Sequence, residues 1–282
     1  MTRSDGENSF CTAVREAVHL RDLLGLALIP VVAVTVFTLP VEPRESLAFV
    51  YGDPSLLTAY SAQFVHFEVA HLAANLLGYA LVAGFGYTLA VLSGYRRLFG
   101  VAAVTYLSAF PPALSWLNLA VPRDAVGYGL SGLNMAFAGL LALVLVGYAG
   151  ALDDRVRLRY APGLFFALVA VISVVALPGT LGPVIGAASA AVASVYGVSA
   201  WRKWHRGATG GVRRAGWLDV GVLGAITLVG YQFVGFGSPR VDGAVVNVYV
   251  HLLGFCLGFI VPYTALAAGV VPPAGDRDFM SD

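Results

Sequence analysis

The sequence predicts an all-α fold, a polytopic bundle of helices in a membrane. Hydrophobic residues make up 58% of the chain and charged residues only 12%, and the mean hydropathy is +0.79. Soluble domains carry about 25% charged residues, so the composition excludes an ordinary soluble protein. The apolar stretches are continuous rather than alternating, which indicates spanning helices and not the strands of a membrane barrel.

Eight apolar stretches approach or exceed the roughly 20 residues that a helix needs to cross a bilayer. They cover residues 23–40, 64–92, 98–120, 130–149, 162–178, 181–201, 217–236 and 245–268. The division between the fifth and sixth stretches rests on the run from Pro178 to Pro183, which favours a tight turn. A single kinked helix is the alternative at that point.

The placement of Lys and Arg supports eight spans. With the N-terminus inside, only Arg44, Arg123 and Arg240 fall outside, as the positive-inside rule requires. We therefore expect an integral, multi-pass protein with both termini cytoplasmic. Residues 1–22 form an N-terminal tail too charged for a signal peptide, residues 23–268 the transmembrane domain, and residues 269–282 a C-terminal tail.

The basic run from Arg202 to Arg214 has two interpretations. It could bind nucleic acid, but beside a span it is more typical of a topology determinant that lies against anionic lipid. The net charge of +1 provides no bulk attraction to nucleic acid. Cys11 lies in the N-terminal tail and Cys256 deep in the last apolar stretch, so no disulfide framework is expected. No nucleic-acid partner is therefore expected.

Three histidines lie in or beside spans, where ionisable groups are costly and indicate function. His71 and Asn75 are four residues apart and share a helix face. His66 would point about 140° away on the same helix, so we expect it to face elsewhere or to cap the helix. His66 and His71 are five apart with Glu68 displaced, so the zinc motif His-Glu-x-x-His is not matched and no metal is predicted.

Ser131 lies between Gly129 and Gly132, where a loop becomes a long apolar helix. The first turn of a helix offers unpaired backbone N–H groups and the positive end of the dipole. These are the requirements of a nucleophile beside an oxyanion site, and the glycines allow a substrate backbone to approach. Taken alone, the motif is more often typical of small residues that pack membrane helices.

Depth in the membrane is a second argument for a site. His71, Ser131 and His251 lie near the outer ends of three spans that run in the same direction, and at about 1.5 Å per residue all fall in the outer third of the bilayer. They could share a cavity, or make unrelated hydrogen bonds between helices. The spans carry no carboxylate pair, which excludes an aspartyl mechanism and leaves a Ser nucleophile with a His base.

Three motifs together resemble those of the rhomboid family of intramembrane serine proteases. They are His66-x4-His71-x3-Asn75, Gly129-Leu130-Ser131-Gly132, and His251-x2-Gly254-x3-Gly258. They occur in the family's order, and the resemblance covers roughly residues 64–259. It implies a six-helix core, to which this chain adds about two spans near residues 162–201.

The resemblance also implies roles. Ser131 would be the nucleophile, and His251 the general base and then the acid. The Ser131 backbone N–H and the side chains of His71 and Asn75 would stabilise the oxyanion. Gly254 and Gly258 would let the His251 helix press against the Ser131 helix.

Met135 departs from the family pattern. It stands where relatives carry an aromatic residue that supports the imidazole, and Met is a more flexible support. The segment from Val41 to Gln63 also lacks the Trp-Arg pair of some relatives. Neither departure changes the expected roles of the dyad.

The expected function is cleavage of other proteins' transmembrane segments near the outer face, in a site that opens to the extracytoplasmic side. The partners are those substrates and the lipid bilayer, with no cofactor, and the sequence does not indicate an oligomeric state. Two alternatives stay open. One is a catalytically silent rhomboid-like protein that binds and escorts membrane clients, and the other is a transporter that uses His71 and His251 as proton sites.

Overall fold

The structure, a computed structural model, describes residues 3–121, 124–177, 179–206, 216–236, 240–241, 244–245 and 247–271. Arg123, Pro178, the centre of the basic loop (207–215) and most of the C-terminal tail (272–282) lie outside the described residues. The helices are α1 (Arg3–Ala17), α2 (Leu20–Phe37), α3 (Val41–Ser46), α4 (Leu56–Ser61), α5 (Val69–Leu92), α6 (Arg96–Ser108), α7 (Phe110–Asn118), α8 (Ser131–Leu152), α9 (Ala161–Ala176), α10 (Leu181–Arg206), α11 (Trp217–Phe236) and α12 (Val248–Ala267). The strands are β1 (Phe49–Val50), β2 (Val126–Gly127), β3 (Arg240–Val241) and β4 (Ala244–Val245), and 3₁₀ turns cover Ala62–Phe64 and Leu158–Tyr160.

Seven of the described helices are long and apolar enough to cross a membrane, and a bent helix pair raises the number to eight. This confirms an all-α, polytopic helical bundle. The bent pair is α6 and α7, which meet at 53° where the sequence predicted one span over 98–120. The break falls just before Pro111 and Pro112, which occupy the first turn of α7, because proline cannot continue the hydrogen bonds of a preceding helix.

The fifth and sixth apolar stretches form two helices, as predicted, rather than one kinked helix. α9 ends at Ala176 and α10 begins at Leu181. Gly182 and Gly186 allow them to pack closely, since a Cβ atom at Gly182 would lie 2.6 Å from the Ser173 carbonyl oxygen. α9 in turn stacks Phe165 on Phe259 of α12, with ring centroids 4.5 Å apart.

The second stretch differs from the prediction at its start. The sequence predicted a helix from residue 64, but α5 begins only at Val69, after Glu68 in an extended conformation. Residues 62–64 form a 3₁₀ turn, and Val65 is also extended. His66 therefore does not lie on α5, and its direction is set by this irregular segment rather than by helical spacing.

α8 is the central helix of the bundle. Its residues from Gly132 to Val144 are all buried, and α5, α11 and α12 pack around it. Glycines bring α8 and α12 into backbone contact, with Gly254 against Gly132 and Gly258 against Ala136. Because these paired positions rise together along both helices, α8 and α12 are parallel.

The two ends of the bundle differ in their loops and in their charged residues. At one end the starts of α8 and α12 lie beside the segment of residues 38–68, which carries α3, β1 and α4. Leu130 donates to His66 and Asn247 donates to Tyr51, and β1 pairs with β2, which precedes α8. At the other end Arg96 makes a two-bonded ion pair with Asp22, at 2.6 and 2.8 Å. Arg155 and Arg159 follow the last turn of α8 at this same end, which we call the basic end.

Candidate functional site

Ser131 is the first residue of α8 and the most accessible residue of its first three turns. It is half-buried, whereas the residues that follow it are buried. Leu130, the residue before the helix, provides no side-chain cap. Within the described part of the chain, the Ser131 hydroxyl and backbone N–H form no hydrogen bond outside α8, so both remain available at the positive end of the helix dipole.

Gly129 brings the Ser131 loop against α5, and it has to be glycine for two reasons. Its φ angle is +105°, in the region that other residues rarely adopt. A Cβ atom there would lie 3.0 Å from His71 Cε1 and 3.2 Å from His71 Nε2. The His71 imidazole thus lies directly beside the backbone that leads into Ser131.

His66 belongs to this cluster, whereas the sequence predicted that it faces elsewhere or caps the helix. Glu68, not His66, is the N-cap residue of α5. His66 is fully buried, and its ring lies edge-on to that of His71 with centroids 5.0 Å apart. Its Nδ1 lies 3.3 Å from the Phe64 carbonyl. A carbonyl only accepts, so Nδ1 carries the proton and Nε2 is the acceptor. Nε2 accepts from Asn75 Nδ2 at 3.2 Å and from the Leu130 N–H at 3.4 Å.

Asn75 is held from two more directions. Its Nδ2 also donates to the carbonyl of His71 at 3.2 Å. Asn134, one turn into α8, donates to the Asn75 carbonyl at 2.9 Å and to its Oδ1 at 3.3 Å. Asn75 is buried and points toward the loop before Ser131, where its Nδ2 lies 3.8 Å from a Cβ built on Gly129. These hydrogen bonds fix the amide in place and use both Nδ2 hydrogens, so donation to an oxyanion requires Asn75 to exchange one of them.

His251 is oriented by a backbone carbonyl. Its Nδ1 lies 2.7 Å from the carbonyl oxygen of Gly235, so Nδ1 donates and the lone pair of Nε2 is left to act as a base. Gly235 is the penultimate residue of α11, and its carbonyl is one of the four that a helix end leaves without an internal partner. The negative end of this helix dipole favours a positive charge on His251.

The support of the imidazole comes from two side chains. Phe236 lies edge-on to His251, with ring centroids 6.1 Å apart and an interplanar angle of 87°. Met135 is buried, and its methyl group packs onto Gly235, where a Cβ atom would overlap it. Met135 therefore supports the carbonyl partner of His251, and the aromatic contact comes from α11 rather than from α8.

Ser131 and His251 lie on helices whose first turns touch. Gly254, one turn after His251, contacts the carbonyl of Gly132, and Val250 Cγ2 lies 3.4 Å from a Cβ built on Gly132. Among the described residues, however, the Ser131 hydroxyl makes no hydrogen bond with His251. Such bonds are often long in an unliganded site and tighten when substrate binds.

The sequence analysis did not identify three residues that contribute to the candidate site: Asn134, Phe236 and Gly235. Asn134 could have been found, because a polar residue in a span is costly and this one lies near the start of its helix. Phe236 left no signal among so many apolar residues. Gly235 acts through its backbone carbonyl, a group that every residue has. Only the packing of α11 against α12 shows that this carbonyl is the partner of His251.

No group of three His, Cys, Asp or Glu side chains in the described part of the chain is arranged to hold a metal ion. Comparisons of the chain with protein-family models, curated proteins and solved structures find no match. The case for function therefore rests on the residues of this chain and their geometry.

Under the oxyanion role that the sequence predicts for Asn75, the Asn75→Ala variant is expected to slow peptide cleavage without abolishing it. Loss of one oxyanion donor lowers the rate by about 100- to 1,000-fold, and the Ser131 N–H and His71 remain. Cleavage of a reporter transmembrane segment in detergent measures the effect. Because Asn75 is also a structural partner, Asn134→Ala is the control, since it removes a support of Asn75 but no oxyanion donor. Equal rate losses in the two variants would remove Asn75 from the site.

Proposed function

We propose that this protein is an intramembrane serine endopeptidase of the rhomboid type. One observation carries the proposal: His251 is held by its Nδ1 on the Gly235 carbonyl, on a helix whose backbone touches the helix that begins with Ser131. A base whose tautomer is set beside a nucleophile at a helix N-terminus is the arrangement that acyl transfer needs.

In this mechanism the Ser131 hydroxyl attacks the scissile carbonyl while His251 Nε2 accepts its proton. The oxyanion that forms is stabilised by the Ser131 N–H, His71 and Asn75. His251 then gives the proton to the leaving amine, which departs with the C-terminal fragment. Water attacks the acyl-enzyme with His251 again as base, and Ser131 recovers its proton.

Gly235 takes the part that a carboxylate has in a three-residue triad. The triad carboxylate holds the imidazole in the correct tautomer and stabilises the imidazolium. The Gly235 carbonyl fixes the tautomer of His251 by its 2.7 Å hydrogen bond to Nδ1. The C-terminal end of α11 stabilises the imidazolium, more weakly than a carboxylate does. A dyad without Asp is therefore sufficient in a site where packing fixes the ring.

The topology follows from the charges at the two ends. The basic end would face the cytoplasm by the positive-inside rule, which puts both termini inside and opens the site to the extracytoplasmic side. The rhomboid-like six-helix core would consist of α2, α5, the α6–α7 pair, α8, α11 and α12, with the α9–α10 pair as the addition. Substrates would be outer-leaflet transmembrane segments weakened by Gly or other poor helix formers.

A silent rhomboid-like protein that binds and escorts clients is the second candidate. The unmade hydrogen bond between Ser131 and His251 favours it, because a protein that does not cleave has no need of that bond. A serine-directed reagent separates the two candidates, since only an activated hydroxyl is acylated or phosphonylated at a useful rate.

Labelling by a fluorophosphonate probe is expected at Ser131 in the purified, full-length protein. The reaction needs a hydroxyl activated by a base, so Ser131→Ala and His251→Gln should both lose the label. Ser194→Ala, on the exposed face of α10, should keep it. In-gel fluorescence and peptide mapping measure the site. Labelling that persists in Ser131→Ala, or no labelling of the native chain, would contradict the proposed activity.

A further inference from the structure

A second candidate site lies at the basic end, at the opposite end of α8 from Ser131. It is a hollow of about 290 Å³ between the α8–α9 connection and the last turns of α10. Its lining is Arg155, Val156, Tyr160, Gly197, Ala200 and Trp201. α8 has 22 residues, which at about 1.5 Å each separate the hollow from Ser131 by roughly 30 Å. The hollow is thus independent of the proposed catalytic site.

The lining has the composition of a membrane interface. Trp201 is 64% exposed, and Tyr160 is half-buried at the start of α9. Trp and Tyr collect at the level of lipid headgroups because one part of each ring system is apolar and another polar. On the α10 side, Gly197 and Ala200 leave space beside the Trp201 ring. Val195 and Val198 are exposed on the adjoining turn of α10.

The charges around the hollow are arranged for an anion. Asp153 accepts from Arg155 at 2.9 and 2.6 Å, and these hydrogen bonds hold the pKa of the Asp153 carboxyl below its ordinary value. Asp153 and Arg155 therefore both stay ionised, and their opposite charges cancel. Arg159 lies over the Tyr160 ring, 5.4 Å from its centroid, and Arg157 is exposed close by.

A third cation neighbours the lining in the sequence. Arg202 is exposed on α10 directly after Trp201, and in the α8–α9 connection Arg157 and Arg159 are neighbours of the lining residues Val156 and Tyr160. Asp154 is the exposed acidic residue of the connection and cannot balance them. The rim is thus positive at the membrane surface, where the headgroup phosphates of lipids lie.

We propose that this hollow binds an anionic phospholipid of the basic-end leaflet. Arg157, Arg159 and Arg202 receive the phosphate and headgroup, the Tyr160 and Trp201 rings contact the glycerol region, and an acyl chain runs along α10. The volume is at the small end for a ligand pocket, which suits a headgroup with its chains outside in the bilayer. α10 packs mainly on α9 among the described residues, so the bound lipid would fasten this outer helix to the α8–α9 connection.

Native mass spectrometry of the full chain in detergent tests the site with two probes, dioleoyl-phosphatidylglycerol and dioleoyl-phosphatidylcholine. We expect the anionic lipid to be retained preferentially. The double variant Arg157→Gln/Arg159→Gln should bind it about tenfold or more weakly. The matched control is Arg21→Gln/Arg97→Gln, which removes two exposed cations of the same end outside the hollow. Equal retention of both lipids, or equal losses in both double variants, would overturn the proposal.

Fluorescence quenching locates the lipid. Phosphatidylglycerol with brominated acyl chains near the glycerol should quench the protein more than the matching phosphatidylcholine, and Trp201→Phe should remove that difference. Trp116→Phe, at the opposite end of the bundle, should leave it intact. A difference that survives Trp201→Phe would overturn the location. Displacement of the lipid by millimolar inorganic phosphate alone would assign the hollow to a soluble anion and overturn the lipid as its ligand.

Discussion

Ser131→Ala is expected to abolish cleavage of a reporter transmembrane segment, with a rate loss of roughly a thousandfold or more. Within residues 124–140, which the structure describes, Ser131 is the only Ser or Thr. The substitution should leave the fold intact, because the Ser131 hydroxyl has no hydrogen bond outside α8 to lose. Fragment appearance on gels and the midpoint of thermal unfolding measure the two effects separately.

His251→Asn extends this experiment to the base. Asn Nδ2 takes the position of His251 Nδ1 and can still donate to the Gly235 carbonyl, so the packing of α11 on α12 is maintained, but an amide cannot accept the Ser131 proton. Cleavage should fall as far as in Ser131→Ala, because the two groups act as one unit. His19→Ala, which changes an exposed imidazole at the basic end, is the control. Cleavage that continues in Ser131→Ala would end the protease assignment.

Gly258→Ala is expected to destabilise the whole bundle. A Cβ atom at Gly258 would overlap the Ala136 carbonyl oxygen and lie 2.6 Å from its carbonyl carbon. These are backbone atoms that cannot rotate away, so α8 and α12 would have to separate. The Tyr106 hydroxyl, fully buried, donates to the Gly258 carbonyl at 2.5 Å, and this bond would be strained as well. We expect a loss of about 3 kcal/mol in the free energy of unfolding.

Gly230→Ala is the matched control for that prediction. Gly230 lies within α11, is exposed, and has no atom within 4 Å of a built Cβ. Ala favours a helix over Gly by up to about 1 kcal/mol, so thermal stability in detergent should be unchanged or slightly raised. Gly258→Ala should also lose cleavage, since separation of the helices moves His251 from Ser131. Equal unfolding midpoints in the two variants would show that the glycine contact is unimportant.

Much of the fold could be predicted because hydropathy is a local property. The lengths of the apolar stretches and the positions of Lys and Arg were enough to predict the polytopic bundle. The turn residues from Pro178 to Pro183 were enough to predict that α9 and α10 are separate helices. The bend between α6 and α7 was not predicted, although Pro111 and Pro112 signal it. The start of α5 was placed too early, since Phe64 and Val65 are as apolar as the helix they precede.

For the candidate site, the sequence predicted which residues take part but not how their side chains are directed. Ser131, His71, Asn75 and His251 could be named from the sequence because polar groups among apolar spans are costly and therefore conspicuous. Their side-chain directions could not be named. His66 joins the Asn75 network only because the chain before α5 is irregular, and no helical spacing describes such a segment.

The sequence by itself determined that the chain forms apolar helices and which rare polar residues they carry. Only the tertiary structure decided that the Gly235 carbonyl orients His251 and that Phe236, rather than residue 135, supplies its aromatic neighbour. The physical reason is that a backbone carbonyl has no side-chain signature. Its partner is chosen by how α11, α8 and α12 pack, and that packing depends on glycine contacts between residues more than a hundred positions apart.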